Sequence, residues 1–201
     1  FPPFFHLGYE VRAFDGDLLF KANNVPSKEI SFLIKGNNLS CMGVFINKNL
    51  IPDYLFSEDR DLAGSEDWEL WMRITARYGI IADNKISACI IDHPQRSVFQ
   101  ISDKKLVTRK LLSLKYAFKD KRVQNKFGKH KRKIIASSYI YIALHLTLDK
   151  NYKRALFHLK NALFLNPFLI FDKRTIAIFK RFILRKYSGT KTPYSMYSYE
   201  R

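Results

Sequence analysis

The pattern of hydrophobic residues changes near residue 102, and this change limits most strongly how the chain can fold. Before it, short apolar or alternating stretches are separated by turn-forming glycine, asparagine and aspartate. After it, apolar residues recur at helical spacing. We therefore predict an α/β region over residues 1–102 and an all-helical extension over residues 103–201.

Turn-forming residues divide the first region into short segments. Residues 9–14 and 18–21 alternate imperfectly between apolar and polar side chains around Asp15-Gly16-Asp17, which predicts a β-hairpin. Residues 39–46 are mostly apolar, which predicts a buried strand or a short helix–strand unit. A further strand is predicted over residues 86–91.

Helical spacing extends through most of the second region. We predict helices over residues 103–119, 131–148, 151–165 and 172–187. Asn166-Pro167 separates the last two, because proline breaks a helix. Residues 136–167 resemble one tetratricopeptide-like helix pair, which cannot bury its apolar face alone.

Positive charge is concentrated in this second region. Residues 1–103 carry 10 Lys and Arg against 14 Asp and Glu, a net charge of −4. Residues 104–201 carry 25 against 4, a net charge of +21. Such asymmetry predicts an anionic partner for the second region: lipid head groups, nucleic acid or a phosphorylated substrate.

The last predicted helix separates apolar from basic side chains. Its apolar side carries Ile176, Ile178, Phe179, Phe182 and Ile183, and its basic side carries Lys173, Arg174, Lys180, Arg181 and Arg185. This pattern is typical of a helix that lies in a membrane interface. It is equally typical of a helix that packs its apolar side on a domain and leaves its basic side in water.

A helix predicted over residues 65–78 begins with the side chains best suited to chemistry. Ser65 is a good N-cap, and the macrodipole favours the negative charges of Glu66 and Asp67 in the first turn. An inverting sugar transfer needs a carboxylate that takes a proton from the acceptor, and an aromatic ring that covers the sugar. Asp67 and Trp68 offer these groups. The alternative is structural, since acids cap many helices and a tryptophan beside them can belong to the core.

Two segments, taken in order, resemble the second half of a family 2 inverting glycosyltransferase. The first is the small-residue segment Gly36-Asn37-Asn38-Leu39-Ser40-Cys41-Met42-Gly43, which an acidic loop follows. The second is Glu66-Asp67-Trp68-Glu69-Leu70-Trp71-Met72-Arg73, in which a Glu-Asp-Trp motif opens a helix and Leu-x-x-Arg continues it. Tyr78-Gly79-Ile80 resembles the usual exit into the next strand. The resemblance covers about residues 30–100.

The resemblance implies roles for the residues that match the motif. Asp67 would be the catalytic base, and Glu66 would bind the acceptor or position the site. Trp68 and Asn38 would contribute to the acceptor site. These assignments place the chemistry at the start of one helix.

The resemblance also implies a diphosphate site after the next strand. Arg96 would neutralise the charge of the leaving diphosphate, and His93 would approach the diphosphate or its metal. The alternative is that Asp92-His93-Pro94 is a turn and that Arg96 lies at the surface.

The donor-binding half of such an enzyme is missing from this sequence. In the family, that half carries an Asp-x-Asp motif for Mg²⁺ or Mn²⁺, so a divalent metal is expected although its ligand motif is not present. Asp15-Gly16-Asp17 lies too close to Asp67 to be that motif. We therefore expect a fragment, or a chain that works with a separate polypeptide. Cys41 and Cys89 form no Cys-x-x-Cys pair and are expected to be buried thiols, with a disulfide between them as the alternative.

These features predict a partial GT-A-like α/β fold, with its nucleotide-binding half missing, followed by basic helices. The enzyme would move a sugar from a nucleotide-sugar donor to a saccharide or lipid-linked acceptor of the cell surface. It would act in the cytoplasm at the inner face of the cell membrane, with an anionic membrane surface as a further partner.

Two alternatives remain. One is a basic module that binds a membrane or nucleic acid without catalysis, although no motif supports nucleic acid and the acidic first region has no role in it. The other is a regulatory or remnant protein that keeps the fold without activity.

Overall fold

A computed structural model describes residues 3–22, 31–93 and 102–184 of the 201-residue chain. The chain forms two compact units, Phe1–Lys131 and Arg132–Arg201. The first contains a β-sheet with helices, and the described part of the second is helical. The mixed α/β class predicted from the sequence is therefore confirmed.

A four-stranded mixed sheet frames the first unit. Its long strand β1 (Phe4–Ala13) pairs antiparallel with β2 (Leu18–Ala22) near its end and with β3 (Val44–Ile46) near its start. Along its other edge, β1 runs parallel to β4 (Ile81–Asp92). A parallel pair requires a crossover connection. The chain between β1 and β4 supplies it and includes the helix that carries Asp67.

The hairpin between β1 and β2 turns at Asp15-Gly16-Asp17, as predicted. The backbone N–H of Ala13 donates to the carbonyl oxygen of Asp17 at 2.8 Å, and Gly16 has a φ of +95°. Only glycine adopts this conformation at little steric cost.

Among the described residues, no group of three or more His, Cys, Asp and Glu side chains could hold a metal ion.

Two helices lie in the crossover between β1 and β4, and the second of them contributes buried residues to the core. After the short helix α1 (Ser31–Lys35), α2 (Glu66–Tyr78) begins and ends as predicted, and Gly79 terminates it with a φ of +72°. Its buried apolar residues are Trp68, Leu70, Trp71, Met72 and Ile74. Arg73 donates to both carboxylate oxygens of Glu69, at 2.6 and 2.9 Å. Burial and this i,i+4 pair fix the helix in place.

Two further helices complete the first unit. Helix α3 (Asp103–Ala117) packs on α2 and on a 3-10 turn, Arg60–Leu62, and α4 (Lys121–Phe127) packs on α2. These contacts place the division of the chain after Lys131, later than the predicted boundary at residue 102. The sequence pattern did not predict α4, because its seven residues bury only two side chains, at 123 and 127.

The segment before β3 differs from the prediction. Among residues 39–46, only Val44–Ile46 form a strand, and the remainder is loop and turn. Leu39 is buried, but Cys41 is exposed, as is Cys89 on β4. The strand is shorter than the predicted buried strand or helix–strand unit, and the prediction of two buried thiols is wrong. An apolar run resembled a strand because a loop that closes over a core also needs apolar residues.

The second unit is a small helical core. It consists of α5 (Lys131–Leu148), α6 (Tyr152–Leu165) and α7 (Lys173–Leu184), with a 3-10 turn (Pro167–Phe171) before α7. Its buried cluster comprises Ile140, Ala143, Leu144, Leu159, Ala162, Ala177 and Ile178. The helix pair predicted within residues 136–167 is present as α5 and α6. None of the described helices combines the length and the apolar composition that spanning a membrane requires.

A buried histidine on β1 makes the first unit sensitive to acid. His6 is 0% exposed, neither of its ring nitrogens has a hydrogen-bond partner, and burial lowers its pKa from 6.5 to about 4. The unfolded chain therefore binds a proton at a higher pH than the folded chain, so stability falls as the pH drops through this window. We expect His6 to contribute a loss of about 3 kcal/mol between pH 7 and pH 4.

Denaturant unfolding across this pH range measures the effect. Carboxylates contribute their own acid sensitivity, so the informative quantity is the difference between the parent and His6→Leu. The variant should lose less stability on acidification. Parallel curves for the two proteins would contradict the assignment.

Candidate active site

Asp67 lies in the first turn of α2 with its carboxylate oriented by neighbouring donors. Oδ1 accepts a hydrogen bond from the Trp68 backbone N–H at 2.7 Å, and Oδ2 accepts one from Asn37 Nδ2 at 2.7 Å. Cys41 Sγ lies 3.7 Å from Oδ2, within range of a thiol hydrogen bond. The residue is partly exposed. A carboxylate offers about four lone-pair sites, so these three contacts leave room for a substrate hydroxyl.

The Cys41 thiol acts as a donor to Asp67 and does not compete with it for protons. Partial desolvation of the thiol, and then the Asp67 carboxylate, raise the pKa of Cys41 to about 12. At neutral pH the side chain is therefore a thiol and carries no negative charge. Within this pair, Asp67 is the group that can accept a proton.

Two buried cations on α3 lie close to the start of α2. Lys110 is 6% exposed and Arg109 is 3% exposed. The Lys110 Nζ atom lies 4.7 Å from the centroid of the Trp68 ring. Burial lowers the pKa of Lys110 to about 8, while the charge of Asp67 opposes that shift. At neutral pH Lys110 is mostly an ammonium ion that attracts the Asp67 carboxylate.

Glu66 holds the turn that precedes α2. Glu66 Oε2 accepts hydrogen bonds from the backbone N–H groups of Gly64 and Ser65, the latter at 2.8 Å. The Ser65 side chain makes no capping hydrogen bond. Gly64 has a φ of +86°, and a Cβ there would come within 2.4 Å of Arg109 Nη1. The turn before Asp67 is thus held by Glu66 from one side and packed tightly against α3.

A cavity of about 490 Å³ lies beside the start of α2. Its lining residues are Ser57, Glu58, Asp59, Arg60, Ala63 and Glu66. The Tyr116 hydroxyl donates to Asp59 Oδ2 at 2.5 Å, and this hydrogen bond lowers the pKa of Asp59. The volume suits a small polar ligand, since ligand sites commonly measure about 300–1,000 Å³. Glu66 lines the cavity, but its sequence neighbour Asp67 does not.

The two residues predicted to bind the acceptor, Trp68 and Asn38, differ in how exposed they are. Trp68 is 1% exposed and its Nε1 donates to the Leu33 carbonyl oxygen at 3.3 Å. A ring so buried does not offer the open face that the predicted role requires, and it supports the site as a core residue. Asn38 is exposed, whereas its neighbour Asn37 makes the contact with Asp67.

One of the two predicted diphosphate residues lies in the described part of the chain. His93 is exposed immediately after β4. Arg96 lies outside the described residues, so its predicted role remains a prediction. Of the predicted site residues, Glu66, Asp67 and Trp68 lie together in the first turn of α2.

Several residues at this position were missed by sequence reasoning. Asn37 lies in the small-residue segment that carries the resemblance, one position before Asn38, the residue that was predicted to bind the acceptor. Lys110 and Arg109 carry no local signal, because residues 104–201 contain 25 Lys and Arg. Only the packing of α3 on α2 distinguishes these two from the rest.

Gly43 holds the loop of Cys41 close against β1. Its carbonyl oxygen accepts a hydrogen bond from Leu7 N at 2.8 Å. A Cβ at Gly43 would lie 2.4 Å from Leu7 O and 2.8 Å from His6 Nε2.

Because a backbone oxygen cannot rotate away, we expect Gly43→Ala to lower the free energy of unfolding by about 1–3 kcal/mol. Gly128→Ala is the matched control, since a Cβ there meets open space. Equal denaturation midpoints for the two variants would contradict this.

Comparison with known proteins does not assign the chain to a family. No protein-family model, no curated protein and no solved structure matches it. The argument for a function therefore comes from the chain's own residues and their geometry.

Proposed function

We propose that the chain is the acceptor-side part of a family 2 inverting glycosyltransferase of the GT-A type, with Asp67 as the general base. The observation that carries the proposal is the partly exposed Asp67 carboxylate, held at the start of α2 by Asn37 Nδ2 and the Trp68 backbone, each at 2.7 Å. A base fixed in this way loses little entropy when the acceptor binds, which favours proton transfer.

The proposed reaction is a single displacement. The acceptor hydroxyl donates a hydrogen bond to Asp67, and its oxygen forms a bond to the anomeric carbon of the donor. The bond from that carbon to the nucleoside diphosphate breaks, and the diphosphate leaves with the bonding electrons. The hydroxyl proton passes to Asp67. Attack from the face opposite the leaving group inverts the anomeric configuration.

Lys110 and Cys41 would support this base. The Lys110 ammonium is buried against Trp68, so its charge acts on Asp67 through a region with little water to screen it. The Cys41 thiol donates toward Asp67 Oδ2 from the other segment of the site. Both would act as positioning residues rather than as groups that contact the acceptor.

The proposed acceptor site is the cavity beside Glu66. Glu58 and Asp59 line it with carboxylates, which accept hydrogen bonds from sugar hydroxyls, and Arg60 adds donors. This supports a saccharide or the glycan of a lipid-linked molecule as the acceptor. Glu66 lines this cavity and directly precedes Asp67 in the chain, which fits the second role predicted for it, positioning of the site.

The donor would be a nucleotide-sugar with Mg²⁺ or Mn²⁺ on its diphosphate, as the resemblance implies. Arg96 and His93 are the residues proposed to meet the diphosphate. For the GT-A-like fold, the supporting feature is the pair of parallel strands β1 and β4, joined through α2. The protein would work at the inner face of the cell membrane, where lipid-linked acceptors are available.

The test is a transfer assay on the protein in the form that the cell makes. Nucleotide-sugars are offered with Mg²⁺ or Mn²⁺ and with saccharide or lipid-linked acceptors, and the product's anomeric configuration is determined by NMR. A product of inverted configuration supports the proposal. A product that retains the donor configuration overturns it, as does an absence of transfer across the whole panel.

A further inference from the structure

The second unit exposes several large apolar side chains close together along the chain. Phe164 at the end of α6 is 80% exposed, and Phe168 and Phe171 in the 3-10 turn are 82% and 80% exposed. On α7, Ile176 and Ile183 are 55% and 66% exposed. Soluble proteins rarely leave so many apolar groups in water unless the surface binds something.

Helix α7 carries two apolar strips that point in different directions. Ile178 is fully buried in the helical core, and Phe182 packs against the same core. Ile176, Phe179 and Ile183, spaced i, i+3 and i+7, are exposed at 55%, 38% and 66%. The predicted apolar side is therefore divided: one part packs on the helical core, and the other part is exposed. Only the inner strip is used to fold the unit.

Basic residues accompany the exposed apolar groups. Lys160 on α6 and Lys173 and Lys180 on α7 are exposed. Asp172, the acid closest in sequence, pairs with Arg174 at 3.0 Å. Residues 132–201 carry 14 Lys and Arg against 3 Asp and Glu, a net charge of +11.

We propose that this surface, the exposed apolar and lysine side chains of residues 160–183, binds an anionic lipid membrane. The phenylalanine and isoleucine side chains would enter the boundary between head groups and acyl chains, and the lysines would meet lipid phosphates. The inference goes beyond the proposed reaction and does not depend on it, because every residue involved lies in the second unit.

The mixture of side chains favours a membrane over other partners. Protein interfaces are depleted in lysine, and a second copy of this unit would bring the same positive charge to the contact. Single-stranded nucleic acid stacks its bases on aromatic rings, but isoleucine has no π face on which a base can stack. Acyl chains accept aliphatic and aromatic side chains alike, and lipid phosphates accept the lysines.

The test measures binding of the full chain to vesicles without any nucleotide-sugar. Vesicles of phosphatidylcholine alone are compared with vesicles that also contain phosphatidylglycerol, by co-sedimentation. We expect binding to the anionic vesicles and a steep loss of binding as the salt concentration rises. Lys173→Gln and Lys180→Gln should each weaken binding about fivefold.

The apolar contribution has a matched control. Phe168→Ser and Phe171→Ser should each weaken binding about tenfold or more, since each removes a large apolar group from the lipid. Phe14→Ser, at an 87% exposed site in the first unit, should leave binding unchanged. All three sites are exposed, so the fold should survive, which circular dichroism checks.

Three results would overturn the inference. The first is equal binding by the parent and the two Phe variants. The second is binding to single-stranded DNA that displaces vesicles and shows the same dependence on the phenylalanines. The third is self-association, seen by sedimentation equilibrium, that the Phe variants abolish while vesicle binding is absent. Because the assay contains no sugar donor, failure of the proposed reaction would leave its outcome unchanged.

Discussion

Asp67→Asn is expected to lower the rate of sugar transfer about 10²- to 10⁴-fold, which is the usual contribution of a general base. Asparagine has nearly the same size, and its carbonyl oxygen can still accept the hydrogen bond from the Trp68 backbone. Asparagine, however, lacks the basic carboxylate oxygen that takes up the acceptor proton. The loss should therefore appear in kcat, while binding of the nucleotide-sugar stays close to that of the parent.

The matched control is Asp61→Asn, which makes the same chemical change at an exposed position in the turn before α2. It should keep nearly full activity. Denaturant unfolding of both variants separates a catalytic loss from a loss of the fold. If Asp67→Asn retains transfer comparable to Asp61→Asn, the base has been assigned to the wrong residue.

Lys110→Met is expected to stabilise the protein at pH 7 by about 3 kcal/mol. Lys110 is 6% exposed, and burial lowers its pKa from 10.5 to about 8, so at neutral pH the folded state carries an ammonium ion whose loss of hydration the charge of Asp67 only partly offsets. Methionine fills a similar volume without charge. Transfer should fall in the same variant, because Asp67 loses the cation beside it. A group that lowers stability but raises activity is characteristic of a functional site.

The pH dependence of this gain has a definite sign. Because the folded pKa of Lys110 is the lower one, the cost of the charge is complete below about pH 8. It declines as the pH rises toward 10.5, where the unfolded chain also loses its proton. The stability difference between Lys110→Met and the parent should therefore shrink over this range.

Lys119→Met provides the control for Lys110. The Lys119 Nζ atom also lies over an aromatic ring, 4.3 Å from the centroid of Tyr116, but Lys119 is exposed. Its substitution should change stability by no more than about 0.5 kcal/mol at any of these pH values. Equal effects of the two substitutions, or a gain at Lys110 that does not vary with pH, would contradict the account of the buried charge.

Features that depend on nearby residues could be predicted from the sequence. The hairpin at Asp15-Gly16-Asp17 and the bounds of α2 follow from turn and helix-end chemistry. The proposal of Asp67 as the general base also came from a local motif. Its neighbours Asn37 and Lys110 did not, because 30 or more residues separate each of them from Asp67 along the chain.

The sequence alone determined the type of most elements, the charge of each region and the carboxylate at the start of α2, because each follows from which residues lie near one another along the chain. Tertiary structure alone decided that Trp68 is buried, that Lys110 reaches the site, and that α7 turns half of its apolar side outward. Burial and long-range contact are properties of how elements pack. A hydrophobic pattern shows that a face is apolar, but the neighbours available to that face decide whether the fold covers it.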